Sequence, residues 1–389
     1  VSVFLKQMSR VDRAVLFMFC LVPFGILSSG IIHQGHKYSW LICGCIIAGS
    51  MLENRWLRYM VWYSCVWQIV ICFGWMSAMI PPSQAQGSFK YLFFVVVFSV
   101  IVTACTKSKL SLNVFYNFLC VTALIQVVLG IFQLFGYDPI LNGLRTLYHG
   151  IVVDNIPNVW MMGYQYKSMT GTMANNNFLS VYLAMCLPLF FRPKWIYFVP
   201  LISAMILALL TSTATFAIGA ACVYYFWDKI KVSRKSWLLI FFVICFLLVT
   251  KQSLTIHLLD TISNNQYDRF VWVQEVWKLS TANWDLFLFG YGQGAPWGHV
   301  FPIHNEYLEC LHHFGLIGLI LLFLYVATLY RGNRRLFSVV IVLGFSCLGT
   351  YPLHLAIHTY LAAIIFGLIE RERQKQCQSV REPAQSVGN

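Results

Sequence analysis

The chain has 389 residues, of which 59% are hydrophobic, 16% aromatic and only 11% charged. That is more apolar than a soluble core requires and excludes a string of soluble domains. The net charge of +13 does not point to nucleic acid, because Lys and Arg fall in short clusters between apolar runs, a pattern of membrane topology. Most cysteines (among them Cys20, Cys43, Cys45, Cys65, Cys72, Cys120, Cys186, Cys222, Cys245 and Cys347) lie inside apolar stretches without paired metal-type spacing, so neither a disulfide framework nor a zinc site is expected.

A membrane-spanning helix needs about 20 mostly apolar residues. In chain order such segments occupy residues 14–32, 38–52, 59–80, 91–104, 112–135, 178–191, 195–210, 212–227, 237–249, 315–329, 336–351 and 355–369. The first follows Lys6, Arg10 and Arg13 and runs on without a small-residue cleavage site, which reads as a retained signal anchor. The expected fold is an all-α polytopic membrane protein of about 12 transmembrane helices, with one domain over residues 1–370. A polar tail, 371–389, is not expected to fold alone.

Cytoplasmic loops keep Lys and Arg. With the N-terminus inside, the cations at Lys6 to Arg13, Arg55 and Arg58, Lys107 and Lys109, Arg192 and Lys194, Lys229 to Lys235, Arg331 to Arg335 and Arg371 to Arg381 all fall on the cytoplasmic side. Lys37, Lys90, Arg145, Lys167, Lys251, Arg269 and Lys278 fall outside. Both termini are then cytoplasmic, with membrane lipids as partners.

Two outer loops, 136–177 and 250–314, exceed what is needed to join helices, and function is sought there. The second carries Trp272, Trp277, Trp284 and Trp297 among polar residues, the composition of amphipathic helices on the outer leaflet or of simple interfacial anchors. No Asp, Glu, Lys or Arg falls inside any of the twelve segments. An ion-coupled transporter, which needs charge at membrane depth, is disfavoured; an uncoupled flippase is not.

The densest candidate cluster runs from Phe289 through Gly290, Tyr291, Gly292, Gln293 and Gly294 to His304, Asn305 and Glu306, ahead of a helix starting near Gly315. Glycines let the backbone approach a ligand closely. His304 has the side chain suited to take a proton from a sugar hydroxyl, and Asn305 and Glu306 can bind hydroxyls or orient it. Arg269, beside Tyr267 and Asp268, can hold a diphosphate by two parallel hydrogen bonds or simply pair with Asp268. Glu309, His312 and His313, and His354 with His358, invite a metal reading; lining the outer ends of helices is the preferred one, and no metal is expected.

The order of Arg269 with Trp272, Gly290 with Gly292, and His304 with Asn305 before Gly315 and Gly318 resembles the O-antigen ligase and O-antigen polymerase family. The run Gly171, Thr172, Met173, Ala174, Asn175, Asn176, Asn177 and Phe178 is similar to that family's Gly-Asn-Asn motif opening a membrane helix. The resemblance covers roughly residues 165–330 and the twelve-segment plan. It implies a lipopolysaccharide-biosynthesis type of enzyme that moves a glycan, with inversion, from an undecaprenyl diphosphate carrier to a lipid A core, polysaccharide or protein hydroxyl, using no metal and no cofactor. Under it His304 is the base and Arg269 a diphosphate ligand, with Tyr267, Gly290, Gly292, Asn305, Glu306 and Asn177 at the substrate.

One departure stands out. Many relatives carry an arginine at the outer end of the seventh segment, where this chain has Thr213. Either Lys167 or Lys251 supplies that charge, or the donor is held differently, or the activity has diverged. Ligase, polymerase and O-linking oligosaccharyltransferase share one chemistry, and the modest outer loops lean toward the first two. The rival from another class is a non-catalytic lipid-glycan flippase or exporter.

Overall fold

The computed structural model describes residue 12 and residues 47–77, 79, 82–135, 137, 169, 171–172, 176–209, 212–226, 277–278, 281, 283–292, 305–330, 333–348 and 356–386. Among them every regular element is helical and there is no strand. The longer helices are α1 (Arg55–Met76), α2 (Pro82–Lys107), α3 (Leu112–Leu134), α4 (Asn176–Cys186), α5 (Val199–Ala208), α6 (Ser212–Phe226), the short α7 (Trp284–Phe289), α8 (Glu306–Leu329), α9 (Arg334–Ser346) and α10 (Ala356–Ser386). They overlie the third to eighth and tenth to twelfth apolar segments. Segments 14–32 and 237–249 lie outside the described residues, as does most of 38–52.

The helix starts share one device. Asn54, Asn305 and Asn333 each turn the side-chain oxygen onto the free amides two and three residues ahead: Trp56 and Leu57, Tyr307 and Leu308, Arg335 and Leu336. Each cap satisfies amides that the helix leaves without carbonyl partners. Pro188, which has no N–H to give, falls where α4 tightens into the 3-10 turn Leu187–Phe190. The hydroxyls of apolar α2 close on its own preceding turn, Ser99 to Val95 O, Thr103 to Ser99 O and Thr106 to Val102 O, each at 2.8 Å. Polar atoms in an apolar setting are thereby satisfied internally.

The core runs through α2, α3, α4, α9 and α10, with Leu119, Tyr182, Phe190, Val339 and Leu361 fully buried. α2 packs along α10, α6 along α9, and α8 against α1 and α7. The outer faces stay apolar: Tyr59, Trp62, Val66, Ile69 and Val70 on α1, Val121, Ile125, Val128 and Phe132 on α3, and Ile320, Phe323 and Leu324 on α8 are all exposed. Such continuous apolar stripes are rare on a chain bathed in water. Among the described residues two helices, α3 and α8, are long and apolar enough to cross a membrane; α4, α5 and parts of α2 and α6 are shorter apolar helices.

The cation-bearing loops meet at one end of the bundle. Arg192 donates to Asn117 Oδ1, Arg335 to Phe191 O and Tyr225 Oη, Arg371 to Ser108 O and Leu110 O, and Arg373 reaches Thr328 O. Arg192 and Arg335 both lie over the Tyr116 ring. The polar stretch from Arg371 continues α10 as far as Ser386, with Arg371 itself buried against the α2–α3 turn. One expectation is amended here. α8 begins at Glu306, not near Gly315, because Asn305 caps it and Gly315 is a break inside it.

Candidate functional site

At the end of α8 away from the arginines, the chain builds a joint from two glycines. Gly290 (φ 81°) ends α7 and Gly315 (φ 64°, ψ −170°) interrupts α8, both in a region that L-residues with a Cβ rarely enter. They meet backbone to backbone. A Cβ on Gly290 would sit 2.6 Å from Gly315 N, and one on Gly315 would sit 2.6 Å from Gly290 N.

The break frees carbonyls in the turn before it, and the glycine loop uses them. Tyr291 N–H donates to His312 O at 2.7 Å and Gly292 N–H to His313 O at 3.0 Å. Tyr63 Oη on α1 lies 3.0 Å from both Phe289 O and Phe314 O. The 305–315 turn is held from the other side by α9, where Glu306 N–H donates to Cys347 O at 2.9 Å, Asn305 Nδ2 to Leu348 O, and Tyr307 Oη to Gly344 O at 2.8 Å.

Four polar side chains are packed into this turn. Glu306, Glu309, His312 and His313 are all buried. His313 Nδ1–H donates to Gly292 O at 3.1 Å, which leaves Nε2 facing Glu309 at 3.7 Å. His312 stacks on Tyr291, ring centroids 4.6 Å apart, and meets the His313 ring edge-on at 5.4 Å. Among the described residues no cluster of three or more His, Cys, Asp or Glu side chains is placed to hold a metal ion. A carboxylate behind an imidazole whose other nitrogen is tied to a carbonyl is an arrangement able to hold or pass a proton.

A second polar cluster lies across α3. Gln133 pairs with both backbone groups of Gly171, accepting from its N–H at 2.7 Å and donating to its C=O at 2.9 Å. Gln126, two turns back, accepts from Thr172 N–H and donates to Thr172 Oγ1, both at 2.9 Å. The two glutamines hold the loop that opens α4 in the way a neighbouring strand would. His358 on α10 donates from Nε2 to Phe178 O at 2.9 Å, in the first turn of the same helix.

The expected site residues divide sharply. Gly290 and Gly292 meet α8 at the joint, whereas Asn305 and Glu306 stand at the start of that helix, bonded to Leu348 and Cys347. Asn177 stands in the first turn of α4, where its N–H is bonded to Asn176 Oδ1 and its C=O accepts from Ser180 Oγ. His304, Arg269, Tyr267, Lys167 and Lys251 lie outside the described residues, as do Trp272, Trp297 and His354; Thr213 falls in the first turn of α6. Tyr63, Gln126 and Gln133 were not singled out from sequence. For the glutamines a signal existed, since amides seven residues apart share one face of an otherwise apolar helix.

Fold and site thus define, among the described residues, an all-helical arrangement with two membrane-length apolar helices and a broken helix whose polar first turns clasp a glycine loop. Compared with models of known protein families and with characterised proteins, the chain matches none.

Proposed function

We propose that the chain is a twelve-helix membrane glycosyltransferase. It takes a glycan from an undecaprenyl diphosphate carrier and joins it, with inversion and without metal or cofactor, to a lipid A core or polysaccharide hydroxyl. The reaction takes place on the outer face of a bacterial inner membrane, both termini being cytoplasmic. The reading is supported above all by the packing of Gly290 and Gly292, two residues that carry the sequence resemblance, against the His312–Gly315 stretch of the helix that Asn305 caps.

In this proposal His304, the residue before the Asn305 cap, removes the acceptor proton as the hydroxyl attacks the anomeric carbon. Arg269, aided by Lys167 or Lys251, balances the charge that grows on the departing diphosphate. Tyr267, Glu306 and Asn177 bind sugar hydroxyls. The Gly290–Gly315 joint and the bonds from α1 and α9 fix the first turns of α8.

The testing experiment is transfer by the purified protein from an undecaprenyl diphosphate-linked glycan to candidate acceptors, wild type against His304→Ala and Arg269→Ala at equal folded abundance. Loss in both variants supports the transferase and its site. Unchanged transfer in both removes the site. No transfer with any acceptor, together with glycan-lipid movement across the bilayer, replaces the enzyme by a flippase. One observation favours that second reading: α8, a membrane-length helix, carries buried Glu306, Glu309, His312 and His313, and ionisable groups at such positions often line a path. An O-linking oligosaccharyltransferase would differ only in accepting a protein hydroxyl.

A further inference from the structure

Tyr307 and Phe323 are equidistant in sequence from Gly315, one on each side of the break in α8. A straight helix would hold residues so spaced about 24 Å apart. Their rings instead stack, with centroids 5.8 Å apart and planes 14° apart. The two limbs, residues 306–314 and 316–329, therefore fold toward each other at Gly315. Gly318 permits this, since a Cβ there would overlap Phe314 Cβ, whereas Cβ atoms four residues apart in a continuous helix keep about 5–6 Å. Tyr307 Oη fastens the first limb to α9 by donating to Gly344 O at 2.8 Å.

α1 measures the level of the bend. Its cap, Asn54, donates to Thr328 Oγ1 at 2.8 Å, near the arginine end of α8. Further along, Tyr63 meets Phe289 O and Phe314 O, and a Cβ on Gly292 would come within 3.0 Å of Trp67 and 3.3 Å of Ile71. α1 runs on to Met76, about 14 Å past Trp67 and about 8 Å past Ile71. The second limb is about 21 Å long, short of the ~30 Å hydrocarbon core of a bilayer. Bend and glycine loop thus lie beside the middle and far half of α1, not beyond its end. Irregular backbone at such a level is tolerated where protein buries it and bonds its polar groups. The Tyr291 and Gly292 amides do so with the His312 and His313 carbonyls.

We infer that α8 is a re-entrant hairpin, not a straight crossing, and that it carries Glu306, Glu309, His312 and His313 inside the thickness of the membrane. Counting apolar runs kept ionisable groups out of the membrane because the tenth run begins at Gly315; the bend turns the stretch before it back alongside the bundle. The fold-back stands on the ring and glycine geometry alone, while the depth rests on the membrane reading above. Ionisable side chains at such depth mark working sites in membrane proteins. In the transferase of that reading, Asn305 and Glu306 meet their substrate below the surface of the membrane.

The test uses the full chain in phosphatidylcholine nanodiscs. With photoreactive p-benzoylphenylalanine in place of Tyr307, the expected cross-link joins position 307 to the peptide that contains Phe323, and Gly318→Val, which fills the crossing point, loses it. Failure of position 307 to reach that peptide in the otherwise unaltered chain overturns the hairpin. For depth, 3-fluorotyrosine is placed at position 307 or at Tyr137, which is exposed just past the end of α3. Fluorine relaxation is then compared between a phosphatidylcholine carrying a nitroxide midway along its acyl chain and a gadolinium chelate in water. Position 307 is expected to respond more to the lipid and position 137 more to the chelate. The same response at both positions overturns the depth. No response to the lipid at either position, with the cross-link present, overturns the membrane reading and leaves the hairpin standing.

Discussion

Gly290 and Gly315 touch through their backbones, each in a left-handed conformation and each leaving no room for a Cβ on the other. Adding a methyl to either must separate α7 from α8. Gly290→Ala and Gly315→Ala are each expected to destabilise the chain by at least the ~1–3 kcal/mol of a strained backbone. Because both act on one contact, the double variant should cost less than the two single effects together. Denaturant unfolding in detergent measures this. Equal stability of Gly315→Ala and wild type would mean that the joint yields without cost.

The same joint should be visible in exchange kinetics. The Tyr291 and Gly292 amides are bonded to His312 and His313 carbonyls, so they should exchange slowly, and in Gly315→Ala faster. Replacing His313 by Phe removes the bond to Gly292 O and is expected to speed exchange at Gly292 without disturbing α3. Unchanged protection at Gly292 would show the side-chain bond to be dispensable.

Gln133→Leu leaves both backbone groups of Gly171 without their partner, at ~1–3 kcal/mol for each buried group. Gln126→Leu does the same to Thr172. Since both glutamines hold one loop, the double mutant should lose less than the two singles combined, a coupling that a double-mutant cycle reads directly. Strict additivity would mean that Gly171 and Thr172 are held independently.

Glu370, just beyond the last apolar segment, is buried beside Tyr325 and Asn54, and burial pushes its carboxyl from 4.5 up to about 7 even though Arg373 opposes the shift. A carboxyl whose folded value is raised holds its proton more tightly in the folded state, so stability falls as pH rises from about 4.5 to about 7 and is flat above that. The effect is on the order of 3 kcal/mol. Glu370→Gln should be more stable than wild type at pH 7.5 and should lack this component of the pH dependence; thermal unfolding at pH 5.5 and 7.5 measures both. A wild type equally stable at the two pH values would place the Glu370 carboxyl in water.

Asn305 tests structure against chemistry. Its oxygen caps α8 and its nitrogen reaches Leu348 O. Asn305→Asp keeps the cap and gives up the donor, whereas Asn305→Ala loses both, at ~1 kcal/mol for the cap. If Asn305 serves only the fold, transfer activity follows stability in both variants. If it also binds a sugar hydroxyl, Asn305→Asp should lose activity, read as a raised KM, out of proportion to its stability.

Most of the helix positions were legible in the sequence. Runs of apolar residues from Arg55 to Ile369 mark where backbone must be bonded within its own segment, and helices lie over those runs wherever the chain is described. The cationic end was legible too, because Lys and Arg punctuate alternate loops and Arg192, Arg335 and Arg371 do meet at one end. Periodicity could not announce the early start of α8 at Glu306, since buried carboxylates and imidazoles read as loop until an Asn cap and α9 carbonyls are brought to them. The docking of the last polar stretch depends likewise on carbonyls of the α2–α3 turn, more than 250 residues away in sequence.

What the sequence by itself determined is the apolar helical plan and the separation of charge between loops, because both follow from transfer of side chains out of water residue by residue. What only the tertiary structure decided is which polar groups find one another: Gly290 against Gly315, His313 on Gly292, Gln133 across Gly171, Arg371 on the α2–α3 turn. Each of these joins residues far apart in the chain, and a buried hydrogen bond is specified by the position of both partners, which no single stretch of sequence carries.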